Sequence, residues 1–93
     1  SVVGADCDVI GKEIRNNADE HLGKIKEVML DKISGRVAYV VLDSGSFLGI
    51  GGKYFALPWN SLRYDDDKNC FIVDINKERL TNAPGFDKDH WPD

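Results

Sequence analysis

The sequence is short of basic residues, cysteine and long apolar runs, and each shortage removes a class of protein. Its 93 residues hold twelve Lys and Arg against sixteen Asp and Glu, for a net charge of −4. Nucleic-acid binding needs basic side chains concentrated on one face. Here they are scattered and outnumbered, so no nucleic-acid partner is expected. No apolar stretch nears the roughly 20 residues of a membrane helix, and the longest, "VAYVVL" at 37–42, has the length of a strand. No membrane span is expected. No basic segment followed by an apolar one opens the chain, so no signal peptide is expected. The first residue is Ser1 rather than Met, which leaves room for a removed leader. The two cysteines, Cys7 and Cys70, form no CxxC pair and have no neighbouring histidine. That pattern indicates neither zinc nor thioredoxin-like chemistry. Two unlinked thiols in a reducing, cytoplasmic setting are expected, with a Cys7–Cys70 disulfide as the alternative.

What is present suits one small globular domain. At this length the chain buries somewhat more than roughly 60% of its unfolded surface, enough for a single core. The apolar fraction of 42% and charged fraction of 30% are ordinary for such a domain. Turn compositions recur at close intervals: "RNNADE" at 15–20, "DKISG" at 31–35, "DSGS" at 43–46, "GIGG" at 49–52 and "YDDDKN" at 64–69. The runs between them are strand-sized, which predicts an all-β sandwich or barrel. Strands are expected at 9–14, 22–31, 36–43, 53–59 and 70–75. The 22–31 alternation is imperfect, and Gly23 is the natural place for a bulge that repairs it. "RVAYVVLD" at 36–43 is apolar on both faces, so it is expected to be covered on both sides. Pro58 must end its strand or lie on an edge, and "YDDDKN" is read as the connection from 53–59 to 70–75. Asn76 is placed to cap a short helical turn over "NKERLTN". The irregular tail after it carries Phe86 and Trp91, which are too apolar to be idle.

The densest feature is "GSFLGIGGKYFALPW" at 45–59, with four of the nine glycines. A phosphate loop would need G-x-x-x-x-G-K-[ST] opening a helix. Gly52-Lys53 is followed by Tyr54, Phe47 stands where the first glycine belongs, and the next segment is strand-like. The glycines are therefore read as a strand connection. Asp65, Asp67 and Asn69 match the first three ligand positions of an EF-hand loop. Cys70 stands where that loop needs glycine, Asn76 stands where it needs glutamate, and the flanks are strands. These three remain the one candidate metal set, against a solvated turn. His21 and His90 have acidic neighbours but no nucleophile in sequence context, and Ser44 and Ser46 have no evident base. No catalytic residue, and no cofactor, is expected. Phe47, Leu48 and Ile50 lie in the glycine-rich connection, where they either close an open barrel end or meet another protein.

From "IGKEI" at 10–14, through "LGKI", "SGRVAYVVL" and the glycine–aromatic loop, to "ALPWNSL" at 56–62, the ordered set of segments resembles the PRC-barrel domain. The acidic turn and "CFIVDI" continue it. The tail "APGFDKDHW" is similar to the extension of stand-alone members. The resemblance implies a small PRC-type β-barrel of about five or six short strands over residues 8–75, with a C-terminal extension at 76–93, all within one domain. It also implies the work of known members, which include the barrel of the photosynthetic reaction centre H subunit and that of a ribosome maturation factor. These act mainly in assembly and interaction rather than catalysis. The expected function is thus a non-catalytic interaction module that self-associates or docks on a larger complex, with Phe47, Leu48, Ile50, Tyr54, Phe86 and Trp91 as its contact residues. The alternative is a barrel that binds a small ligand or cation at its mouth or at the 65–69 turn.

Overall fold

The computed structural model describes residues 2–45 and 53–87. A four-residue helix α1 (Ala5–Asp8) precedes strands β1 (Glu13–Asn16), β2 (His21–Asp31), β3 (Arg36–Asp43) and β4 (Tyr54–Leu57). A 3₁₀ turn over Trp59–Ser61 leads into β5 (Leu62–Asp65), β6 (Cys70–Val73) and helix α2 (Lys77–Asn82). The six strands form one sheet in the order β4-β3-β2-β1-β6-β5. Neighbours run antiparallel except β1 and β6, which are parallel. The domain is all-β, as expected.

The sheet has to curl. Its two edge strands, β4 and β5, are joined by residues 58–61 alone. Five backbone steps from Leu57 to Leu62 span at most about 18 Å. A flat six-stranded sheet would set its edges about 24 Å apart. Pro58 ends β4, and the 3₁₀ turn shortens the reach further. The curl is barrel-like, yet β4 and β5 are not hydrogen-bonded to each other among the described residues.

Bulges make the curl possible, because each one bends its strand and increases the local twist. Opposite β1, Gly23 pairs with Ile14 and His21 with Arg15, so Leu22 is the extra residue. This puts Leu22 and Ile25, three apart in sequence, on one buried face. The bulge lies where the sequence predicted it. Further irregularities fall between Ile25 and Glu27 and between Met29 and Leu30 of β2. Gly23 itself adopts φ +152°, and a Cβ there would lie 2.3 Å from the Asp43 carbonyl oxygen and 2.8 Å from a Leu42 methyl. No side chain fits between these strands at this point.

Inside the curl, Ile14, Leu22, Ile25, Val40, Leu42, Phe55, Leu57, Phe71 and Val73 form the core, with Val9 and Leu80 joining from outside the sheet. Each such side chain contributes about 1.5–3 kcal/mol by burial. Val40, Val41 and Leu42 of β3 are all fully buried, so that strand is covered on both faces there, as its composition predicted. The cap of α2 also agrees: the Asn76 side-chain oxygen accepts from the Arg79 amide at 2.6 Å, and Leu80 seats the helix in the core.

Two expectations change. The first strand starts at Glu13 rather than Val9, because α1 and a left-handed turn at Gly11 (φ +91°) occupy the preceding residues. The acidic turn joins β6 to β5, not to the 53–59 segment. β5 was not legible because the alternation of Leu62 and Tyr64 with Arg63 and Asp65 lasts only four residues and runs straight into the acidic turn.

Gly23→Ala is expected to cost about 3 kcal/mol or more, through overlap with β3 and backbone strain. Gly35→Ala, at φ +78° with open space around it, carries strain alone and is expected to cost about 1 kcal/mol. Urea denaturation of both variants checks the ranking. Equal losses would show that the β2–β3 approach is not the constraint.

Candidate functional site

Of the six expected contact residues, Phe47, Leu48, Ile50 and Trp91 lie outside the described residues. Tyr54 and Phe86 lie within them, 32 positions apart in sequence, and the fold brings them together. The Tyr54 amide donates to the Phe86 carbonyl at 2.8 Å, and the Phe86 amide donates to the Tyr54 carbonyl at 2.9 Å. Their rings meet edge to face, with centroids 5.8 Å apart and planes at 73°, an arrangement that aromatic quadrupoles favour. Lys26 of β2 holds its ammonium 5.3 Å from the Tyr54 ring centroid, within cation–π range.

The local sequence explains this return of the chain. α2 ends at Asn82, and Pro84 cannot continue a helix. Gly85 then adopts φ +60° and turns the tail back along β4. A Cβ at Gly85 would stand 2.9 Å from the Tyr54 carbonyl oxygen and 3.2 Å from the Phe55 ring, so glycine is needed for space as well as for conformation. Beside this contact, Phe55, Leu57, Ile75, Leu80 and Phe86 line an open groove of ≈ 450 Å³. Among the described residues, Arg79 is the one charged residue in its lining.

At the candidate metal turn, side-chain oxygens of Asp65 and Asn69 are already engaged. Asp65 Oδ1 accepts from the amides of Asp67 and Lys68, each at 3.0 Å. Asn69 sits at φ +53°, and its Oδ1 accepts from Lys12 Nζ at 3.0 Å and from the Tyr64 hydroxyl. Among the described residues, no three His, Cys, Asp or Glu side chains converge as a metal site. Cys7 is exposed, Cys70 is buried, and both are free thiols.

A charged cluster stands across β1 and β2. Glu13 takes Arg15 Nε at 2.9 Å and His21 Nδ1, while Asp19 takes Arg15 at 3.2 Å and Lys68 at 2.8 Å. Burial pushes the Glu13 carboxyl up, but hydrogen bonds from Arg15 and His21 outweigh it and hold its pKa below the ordinary value. The Lys68 ammonium lowers Asp19, and the amides of Ile33 and Ser34 lower Asp31. Ser44 is fully buried, and its hydroxyl donates to the Lys53 carbonyl at 3.1 Å, as a tie between β3 and the start of β4.

Sequence reasoning missed one grouping. Trp59, which strict alternation over the expected 53–59 strand puts on one face with Phe55 and Leu57, instead lies in the 3₁₀ turn and packs on Phe71 of β6 beside Tyr64 of β5. The Pro58-Trp59 step was the available signal, since a proline that ends a strand frees the next side chain from its alternation.

The PRC-barrel domain family model matches residues 3–80, well over half of the chain. The chain belongs to the PRC-barrel domain family. No curated protein matches it. PRC-barrel domains are generally non-catalytic and often serve as protein-interaction modules. Among the described residues, no helix is long and apolar enough to cross a membrane. The family match ends inside α2, so the Gly85–Phe86 return lies beyond it.

Two outcomes follow from this geometry. Phe86→Ala should speed amide exchange at Tyr54 by about tenfold or more, with the core strands protected as before. Unchanged exchange would mean that the tail does not hold the β4 edge. The lowered pKa values of Glu13, Asp19 and Asp31 mean that the unfolded chain binds protons more tightly than the folded one. Their stabilising contribution is therefore full above about pH 5 and is lost as pH falls through the folded pKa values. The thermal midpoint of this PRC-barrel domain should drop between pH 5 and pH 3, and by less in Glu13→Gln.

Proposed function

We propose that this PRC-barrel domain is a non-catalytic interaction and assembly module that self-associates or docks on a larger complex in the cytoplasm, including one peripheral to a membrane. Its contact surface comprises Phe47, Leu48, Ile50, Tyr54, Phe86 and Trp91. The observation that carries the reading is the Tyr54–Phe86 pairing beside an open apolar groove. Half-buried aromatics next to apolar concavity are what protein partners engage. The family background supports the same direction.

Light scattering together with affinity capture from the native cell tests the reading. The expected result is a homo-oligomer, or a specific partner that Phe47→Ala/Leu48→Ala loses while its thermal midpoint stays within a few degrees. A clean monomer that captures nothing would sink the proposal.

A further inference from the structure

A second surface is built from residues that the contact set does not use. Phe71 of β6 is nearly buried and forms its floor. Trp59 and Tyr64 lie against that floor, with ring centroids 5.9 and 5.2 Å from Phe71 and planes tilted by 54° and 58°. Trp59 nevertheless keeps 38% of its surface exposed and Tyr64 keeps 46%. The three rings line an open cleft of ≈ 550 Å³ together with Val3, Val9 and two carboxylates, Asp8 and Asp66. Asp8 ends α1 and Asp66 belongs to the β5–β6 turn, so the tertiary fold places both acids beside the rings.

Among the described residues, neither carboxylate is in an ion pair. The nearby ammonium of Lys12 is bonded to Asn69, the residue that also accepts the Tyr64 hydroxyl. Burial, and then the charges of Asp66 and Asp8, raise the Tyr64 phenol above its ordinary pKa, so both acids act on the cleft's wall.

Exposed Trp and Tyr faces attract cations, Trp most strongly. A carboxylate at the rim adds direct charge and accepts hydrogen bonds. A guanidinium meets both demands: its flat face stacks on a ring while its fork of N–H groups bonds to carboxylate. A purely apolar occupant would desolvate Asp8 and Asp66 with no return, and an anion would meet their repulsion. We infer that the Trp59–Tyr64–Phe71 cleft, with Asp8 and Asp66 at its rim, binds an arginine side chain presented by a basic peptide segment of a partner protein. This inference concerns a different surface and does not depend on the contact set at β4.

The test is a ¹⁵N-spectrum titration of the full chain with a capped five-residue peptide carrying one arginine among glycines. The Trp59 indole signal is identified by its loss in Trp59→Phe. The indole should shift saturably, and the citrulline version of the peptide, which lacks the charge, should bind at least about threefold more weakly. Asp8→Asn/Asp66→Asn should weaken arginine binding by a similar factor while the core signals stay in place. No saturable shift up to about 20 mM peptide, equal binding of citrulline, or an unaffected double variant would each overturn the inference. Tighter binding of tetramethylammonium than of the arginine peptide would overturn it as well, because the cleft would then be a quaternary-ammonium site.

Discussion

The edges of a six-stranded sheet are held here within the reach of four residues, and nearly everything else in the fold answers to that constraint. β2 must bend for the edges to approach, and it bends at Gly23, where its backbone presses against the Asp43 carbonyl. The same bulge puts Leu22 and Ile25 on one buried face. Curvature and core formation are therefore one event. A residue with a side chain at position 23 would oppose both.

The curl also decides which loops become neighbours. The β1–β2 turn meets the β5–β6 turn through Lys68 and Asp19, and Arg63 and Asp74 both reach Asn17. Exposed pairs of this kind add little net stability, because water and salt screen them. Their effect is to fix how the turns lie against one another rather than to add much stability. That fixing matters at the aromatic cleft, whose acids come from opposite parts of the chain while its rings come from β5, β6 and the link between β4 and β5.

Much of the fold was legible in the sequence because local chemistry and tertiary demand agree. "RVAYVVLD" reads as a covered strand and is one, at least over Val40–Leu42, where both faces are buried. "RNNADE" reads as a turn, and Asn16 organises it by accepting from the Ala18 and Glu20 amides. Asn76 reads as a cap and serves as one. β5 failed to show because its alternation of Leu62 and Tyr64 with Arg63 and Asp65 is only four residues long and merges with the acidic turn. The start of β1 was misplaced because Gly11, in an apparently continuous run, breaks the strand by adopting positive φ. The meeting of Tyr54 with Phe86 and of Trp59 with Tyr64 and Phe71 could not be read from spacing. Each depends on how far the sheet curls, which is a property of the whole sheet and of no single segment.

The return of the tail along β4 has a further consequence. At Tyr54 the outward backbone groups of an edge strand are already taken by Phe86, a residue of the same chain. The tether is short, because Ala83 packs on the core and only Pro84 and Gly85 intervene. Such a tether gives its residue an effective concentration of millimolar or more. Any foreign strand that would add to the sheet at this edge must compete with an occupant that never diffuses away. The tail thus acts as a resident competitor, and it sets a minimum strength for strand addition at β4.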